Sequence, residues 1–306
     1  MSLPLRTFFR LLSGGRFRLL RDRLNHRLRV RRLKAGQAFF YRRAGVRYFV
    51  DPRQTASVAT YLEEMEDGRE LRLWQKWLQP GDHVIDGGAH TGAYAFAAAA
   101  RLSSGKIVAV EADPDLADFL KMAGHRLGFS PVLEVAACAL SDHNGTANFY
   151  FSPPSGNGRV LQSLHAPRPD FEARPVALET LADLASRHFD GAAPAAVKLD
   201  LEGAENLALS AAPPAWFSPQ GPLWTVEINR DALARFQTTP EAILRHFPAT
   251  SFDVFLLPHY PHAPMPDTLR PSGFSSWNQA AYFNLVAVPT GPLFTKRRQR
   301  LRHLLP

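Results

Sequence analysis

Residues 84–92 read Val84-Ile85-Asp86-Gly87-Gly88-Ala89-His90-Thr91-Gly92, followed by the alanine-rich run from Ala93 to Ala100. An apolar, β-branched pair ending in an acid and two glycines is the pattern of a buried strand that stops at a tight turn and feeds a helix. Glycines there let the backbone approach a ligand closely, and open α/β sheets bind ligands beyond the carboxyl ends of their strands. The spacing is not Gly-x-Gly-x-x-Gly, because Ala89 occupies the middle-glycine position counted back from Gly92. The anionic Asp86 beside this turn is poor for a pyrophosphate and suited to a cationic ligand or to ordering the loop around an ammonium. A nicotinamide dinucleotide is therefore disfavoured.

Outward from this turn, short apolar runs alternate with helical stretches. The runs are 83–85, 106–110, 132–136, 195–199, 223–228, 253–257 and 282–288; the helical stretches fall near 91–102, 114–127, 179–187, 203–211 and 231–246. This alternation predicts an α/β fold with a doubly wound, mostly parallel sheet and helices on both faces. Upstream, 38–41 and 46–50 read as a small hairpin and 60–78 as one helix, stopped by Pro80-Gly81. From Asn144 to Val176 the pattern lapses into Gly, Pro and Ser with two strand-like pieces, 147–151 and 174–178, an excursion from the sheet.

Composition narrows the class. In 306 residues, 45% are hydrophobic and 21% charged, ordinary globular usage. The single cysteine, Cys138, excludes an internal disulfide framework and a cysteine-based zinc site, and a reducing, cytoplasmic compartment is the expectation. No run of 18 apolar residues offers a membrane span. Charge is unevenly placed. Residues 1–50 hold 14 Arg and Lys against one acid, and 296–306 add five basics with no acid. With a total of +8, the stretch between them carries −10. The expected organisation is a basic amphipathic arm and the start of a hairpin over 1–50, a catalytic domain over 51–295 and a basic tail over 296–306. Leu5, Phe8, Phe9, Leu12, Leu20, Leu24 and Leu28 give the arm an apolar stripe among arginines. Such an arm either packs on the body or a second subunit, or makes peripheral contact with an anionic membrane surface; nucleic acid is the less expected partner.

Chemistry concentrates at strand ends. The second strand ends at Val110-Glu111-Ala112-Asp113, and a carboxylate there accepts both hydroxyls of a ribose. Asp86 and Glu111 together describe a site for a ribose-bearing ligand that is cationic near the first loop, which S-adenosylmethionine fits. In Val197-Lys198-Leu199-Asp200-Leu201-Glu202-Gly203-Ala204-Glu205, three carboxylates within six residues repel unless compensated, and Lys198 is the nearest cation. Glu202 and Glu205 read as acids of the first turn of a helix starting around Gly203. Trp224-Thr225-Val226-Glu227-Ile228-Asn229 ends the next strand with a carboxylate and an amide. Asp200, Glu227 and Asn229 could ligate a divalent metal through hard oxygens, a reading allowed but not favoured.

The ordered runs GDHVIDGGAHTGAYA, VAVEADPD, AACALSDHNGTANFYF, AVKLDLEGAENLAL and WTVEI resemble the FkbM-type family of S-adenosylmethionine-dependent methyltransferases over roughly residues 60–290. The resemblance implies a class I methyltransferase (Rossmann-like) sheet whose last strand is antiparallel, with S-adenosylmethionine as cofactor. It also implies O-methyl transfer to a hydroxyl of a sugar, glycan or secondary metabolite. By this resemblance Asp86, Gly87, Gly88, Ala89, His90 and Gly92 form the cofactor loop, Glu111 and Ala112 hold the ribose, and Ala137 and Cys138 line the adenine. Asp200 sits beside the methionine moiety and the reacting centre.

Methyl transfer to an alcohol gains from a positioned base. Asp200 is the first expectation, Glu227 the second and His90 an alternative. Glu202, His259, Tyr260, His262 and Trp277 are the expected acceptor contacts. An RNA methyltransferase using the basic arms and a non-catalytic protein that kept the fold are the competing readings.

Overall fold

A computed structural model describes residues 28–63, 68–151, 162–165, 171–258 and 282–304. Residues 1–27 of the arm, and with them most of its apolar stripe, lie outside the described residues, as do His259, Tyr260, His262 and Trp277.

The hairpin is β1 (Phe39–Arg43) and β2 (Val46–Val50), paired antiparallel. The stretch expected to form one helix over 60–78 instead holds two, α1 (Thr55–Glu63) and α2 (Gly68–Trp77). The central elements follow as β3 (His83–Gly87), α3 (Ala93–Ala99), β4 (Lys106–Val110), α4 (Pro114–Leu127) and β5 (Leu133–Ala136). After the excursion come α5 (Leu181–Phe189), β10 (Ala196–Leu199), α6 (Glu205–Ser210) and β11 (Leu223–Asn229). The chain closes with α7 (Arg230–Arg235), α8 (Pro240–Leu244), β12 (Phe252–Pro258), β13 (Tyr282–Pro289) and α9 (Thr295–Leu301). The helix expected over 231–246 is broken between α7 and α8, where Gln237 takes a left-handed φ of 52° and Pro240 begins a new N-terminus under the Thr239 cap.

Seven strands form one sheet in the order β12-β13-β11-β10-β3-β4-β5. Pairing is parallel from β11 through β5, while β13 runs antiparallel to both β11 and β12. The chain winds from β3 to one edge and resumes on the other side of β3 with β10. The strand order thus reverses between β3 and β10, and the crevice beyond their carboxyl ends is where such sheets bind ligands.

Both faces are covered. Trp74, Trp77, Phe96, Ile107 and Phe119 belong to one core, under α2, α3 and α4; Ile85, Val197, Leu199, Trp224 and Phe247 belong to the other. The period-two alternation of each strand decides the allotment: Val84 turns to the first core and its neighbour Ile85 to the second.

The excursion is more regular than its composition suggests. β7 (Gly145–Phe151) pairs antiparallel with β9 (Glu172–Glu179) along its whole length, and β6 (Ala139–Leu140) and β8 (Gln162–Ser163) complete a second, four-stranded sheet. It rests on its own small apolar cluster of Ala112, Ala139, Phe149, Phe151, Val176 and Leu178.

The basic ends are partly used for structure. Residues 28–33 are helical, yet Leu28 is exposed, and the contact with the body is made by arginines. Arg29 donates to the Tyr61 carbonyl at 3.2 Å, and the Arg32 guanidinium lies 4.3 Å from the Phe39 ring centre. In α9, Arg297 forms a two-pronged pair with Asp82 (2.6 and 2.9 Å), Arg298 pairs with Asp253, and Leu301 is fully buried.

Candidate active site

Register places Asp86, Lys198 and Thr225 side by side on β3, β10 and β11. All three face the first core, so a charged pair is buried under helices. Lys198 Nζ donates to the Gly88 carbonyl at 3.0 Å, lies 3.2 Å from Asp200 Oδ2 and 3.8 Å from Asp86 Oδ1, and sits 5.1 Å from the Tyr94 ring centre. It compensates the acids of both strand ends, as the sequence requires.

Asp86 is fully buried, and its Oδ2 accepts the Ala95 amide of α3 at 2.7 Å. Burial pushes its carboxyl up, against the pull of Lys198. Its role in the geometry is to fasten the first loop to α3 rather than to present a free carboxylate to the crevice. Asp86 and Asp200 meet through Lys198.

The first loop is tied down by the second strand. Gly88 and Ala89 donate their amides to the Val110 carbonyl at 3.0 and 2.9 Å, and His90, at φ 50°, donates its amide to Glu111 Oε2 at 2.7 Å. Three consecutive N–H groups are thereby occupied, so the loop offers no amide nest for a phosphate. Gly88 has φ 69°, and a Cβ there would lie 1.9 Å from the Asp200 carbonyl oxygen, so the loop passes in contact with the end of β10. Gly87 and Gly92 are likewise crowded, and Ala89 and Ala112 are buried at the loop ends.

Glu111 is 5% exposed and also accepts the Asp113 amide, through Oε1 at 2.9 Å. An ionised carboxylate has about four acceptor positions, so two remain for ribose hydroxyls. Burial pushes its pKa up to about 7 despite these two hydrogen bonds. Ala137, after β5, is exposed, whereas Cys138 is buried in the second core with its thiol pushed up to about 12 by desolvation and by Glu179. Ala137 is therefore free to line a ligand; the Cys138 side chain packs away from it.

Beyond β10 and β11, one oxygen from each of Asp200, Glu202 and Glu227 lies within 4.8 Å of the others. Asp200 is about a third exposed. Burial pushes its carboxyl up, but Lys198 and a hydrogen bond with Glu227 outweigh this and hold it below the ordinary range. Glu227 is buried and raised well above the ordinary range by desolvation and by the charges of Asp200 and Glu202. Tyr282 donates its hydroxyl to Glu227 Oε1. Glu202, raised to about 8 by desolvation and Asp200, stands at φ 53° before the helix. The arrangement favours the charged form of Asp200 and the neutral form of Glu227.

Two local expectations change. The helix begins at Glu205, not near Gly203, and Glu205 reaches back, its Oε1 accepting the amides of Leu201 (2.8 Å) and Gly203 (3.2 Å). Asn229 is an N-cap, accepting the Ala232 amide at 3.2 Å, so Glu202 takes the place among the clustered oxygens that the sequence suggested for Asn229.

A supporting network was missed from sequence. Glu70 of α2 is buried and accepts from the Tyr94 hydroxyl and from Asn284 Nδ2 (2.9 and 3.0 Å). Its signal was available: Glu70 shares a helix face with Leu73, Trp74 and Trp77 at spacings of three, four and seven. Tyr282 and Asn284 alternate along β13 on the face that meets Glu227.

The strand order with its single antiparallel strand, the reversal between β3 and β10, and acids at successive strand ends define a class I S-adenosylmethionine-dependent methyltransferase. Residues 86–253 match the methyltransferase FkbM domain, and the chain belongs to that family. It is a methyltransferase, and S-adenosylmethionine is its cofactor. Its fold is similar to that of several solved structures. One is an rRNA methylase from Streptococcus thermophilus, at 10% identity, with 72% of this chain and 95% of that chain covered and a TM-score of 0.39. Another is precorrin-6y C5,15-methyltransferase from Geobacter metallireducens, at 12% identity, 72% and 86% covered, TM-score 0.38. A third is a SAM-dependent O-methyltransferase from Thermotoga maritima, at 13% identity, 82% and 77% covered, TM-score 0.38. No curated protein matches the chain.

Proposed function

We propose that the acceptor is a hydroxyl of a sugar, glycan or secondary metabolite, and that Asp200 takes up its proton. The observation that carries this reading is Asp200, about a third exposed at the end of β10, with Lys198 Nζ 3.2 Å from its carboxylate and buried Glu227 beside it. The cofactor supplies a methyl group activated on a sulfonium. Glu111 and the small residues Gly88 and Ala89 would hold its adenosine end, and Asp200 would lie next to its methionine end. With the methyl group so supplied, Asp200 would take up the proton that the acceptor hydroxyl gives up. Glu227 and His90 are the alternative proton acceptors. Holding the oxygen in line at near-attack distance supplies the rest of the rate.

The net charge of −10 on residues 51–295 disfavours a polyanionic acceptor, which argues against RNA. The test is transfer of a tritiated methyl group to sugar nucleotides, glycolipids and polysaccharide fractions, with RNA in parallel. Label confined to RNA, with a steep salt dependence of binding, overturns the hydroxyl reading. No cofactor binding by calorimetry revives a non-catalytic scaffold.

We also propose, from charge alone, that the enzyme makes peripheral contact with the cytoplasmic face of a membrane. Among the described residues no helix is long and apolar enough to cross one. What supports peripheral contact is the basic arm and a surface groove lined by Arg72, Lys76, Arg101, Arg300 and His303 with no carboxylate among its lining residues.

A further inference from the structure

We propose that the groove between α2 and α9 is a binding site for a compact phosphate anion, a phosphomonoester or diphosphate group, which anchors its carrier away from the methyl-transfer crevice. The carrier is a lipid headgroup or a soluble phosphate ester. Only the supply of that phosphate from a bilayer rests on the membrane reading above.

The groove has a volume of about 790 Å³. Basic side chains reach it from three elements: Arg72 and Lys76 from α2, Arg101 just after α3, and Arg300 and His303 from the end of α9. Gln75 and Gln299 add amide donors, and no carboxylate is among the described lining residues. A wall of guanidinium, ammonium and amide donors without an acid suits a phosphate, which accepts several charge-assisted hydrogen bonds at once. Arg101 is steadied by its Nε, which donates to the Leu78 carbonyl at 3.3 Å.

The way α9 spends its arginines is a second observation. Arg297 pairs with Asp82 and Arg298 with Asp253, so these two are used for structure. Among the described residues, Arg72, Lys76, Arg300 and His303 have no hydrogen-bond or ion-pair partner. Residues 51–295 carry a net charge of −10, so acids are plentiful on the body yet kept out of this groove. Cations at helix C-termini are ordinary, which accounts for Lys76 and Arg300 taken singly. It does not account for Arg72, one turn earlier in α2, where it and Lys76 repel as like charges four residues apart. A bound anion offsets that repulsion.

Position separates this site from the chemistry. α3 leaves the cofactor loop at Ala93, and its far end, with Ala100 and Arg101, borders the groove. A helix length of about 10 Å therefore lies between the two. The amides of Gly88, Ala89 and His90 are already occupied, so the cofactor loop offers no competing phosphate nest. A phosphate held in the groove leaves the crevice open to cofactor and acceptor.

The test is titration of the full chain with inorganic pyrophosphate, read by calorimetry at low ionic strength. A second arm is sedimentation with phosphatidylcholine vesicles containing phosphatidic acid or phosphatidylserine at matched surface charge. Saturable pyrophosphate binding is expected, weakened at least about tenfold when Arg72→Gln and Arg300→Gln are combined. Arg302→Gln removes a charge from the same helix end outside the groove and should change binding less than about twofold. Retained S-adenosylhomocysteine binding reports folding in both variants. Pyrophosphate binding with preference for phosphatidic acid identifies a lipid carrier; without that preference it identifies a soluble ester, and the site stands. No saturable binding, binding unchanged in the double variant, or displacement of S-adenosylhomocysteine by pyrophosphate overturns the site. Equal retention on both anionic vesicles without pyrophosphate binding also overturns it and leaves the membrane reading standing. RNA retained through Arg72 and Arg300, with no pyrophosphate bound, makes the surface a nucleic-acid face and overturns the proposal.

Discussion

Glu111 accepts the amide of His90 at 2.7 Å, so the end of the second parallel strand fixes the shape of the loop that follows the first. Its carboxylate is both a brace for the loop and the proposed ribose acceptor, and the two roles separate by substitution. Glu111→Gln keeps a carbonyl for one amide and loses charge-assisted bonds worth about 1.5–3 kcal/mol. S-adenosylhomocysteine should bind about 10–100-fold more weakly by calorimetry, and a lowered melting temperature of the free protein reads the lost brace separately. The pH dependence follows from burial raising the group to about 7. Below that pH the carboxyl is protonated and has lost acceptor capacity, so affinity should rise from pH 6 to 8. A slope that persists in Glu111→Gln assigns it to another group.

Gly88 lies against the backbone of Asp200. A Cβ at 1.9 Å from a carbonyl oxygen cannot be relieved by a rotamer change, and φ 69° adds strain of about 1–2 kcal/mol. Gly88→Ala should destabilise by about 2–4 kcal/mol in denaturant titration and abolish cofactor binding. Gly128 supplies the control, since it has φ 80° with open space around it. Gly128→Ala should lose only the conformational part, and equal losses at both positions would refute the crowding argument.

The parts of the site readable in sequence are those fixed by one strand at a time. Asp86, Glu111, Asp200 and Glu227 each follow an apolar run, and the parallel sheet brings such ends to one crevice. The strand order was likewise implied by the resemblance and the alternation. What depends on a turn was not readable. Whether Glu202 or Asn229 joins Asp200 is set by the φ of 53° at Glu202 and by Asn229 capping α7. Contacts across long separations were equally silent: Glu70 meets Asn284 from 214 residues away, and Tyr282 reaches Glu227 diagonally, two residues from its register partner Asn284. The two strand-like pieces of the excursion, 147–151 and 174–178, lie within β7 and β9, and what the intervening Gly, Pro and Ser obscured was their pairing with each other.

Glu205 tests the turn itself. Its Oε1 holds the amides of Leu201 and Gly203, while burial raises its pKa to about 7. A carboxyl raised in the folded state contributes stability that is fully present below the unfolded value near 4.5 and is lost as pH rises through about 7. Glu205→Gln preserves the accepting oxygen without the charge. Its melting temperature relative to wild type should therefore improve between pH 5 and pH 8, while Glu205→Ala, which also lacks the accepting oxygen, should stay about 1–3 kcal/mol below Glu205→Gln at either pH. A pH-independent difference for the Gln variant would show that Glu205 does not titrate in this range.

The groove between α2 and α9 carries the membrane expectation in the described part of the chain. Each basic side chain near an anionic bilayer contributes about 1 kcal/mol. Replacing Arg72, Lys76 and Arg300 together by Gln should reduce partition onto anionic vesicles about 100-fold, and neutral vesicles should retain neither protein. Deleting residues 1–27 in the same assay separates the arm from the groove. Equal sedimentation of wild type with neutral and anionic vesicles would sink the membrane assignment.

Asp200 carries the chemistry proposed here. In Asp200→Ala, Asp86 and Lys198 still form their pair and the first loop keeps its bonds to Val110 and Glu111, so the adenosine end of the cofactor site persists. S-adenosylhomocysteine should bind near the wild-type level while turnover falls about 10²–10⁴-fold, the range of a lost positioned base. Glu227→Gln should fall less, because burial and the charge of Asp200 favour the neutral form of its carboxyl. His90→Ala should leave turnover within the same order of magnitude, since the loop holds His90 through its backbone amide. Full turnover in Asp200→Ala with loss in His90→Ala would transfer the proton to the imidazole and reverse the assignment.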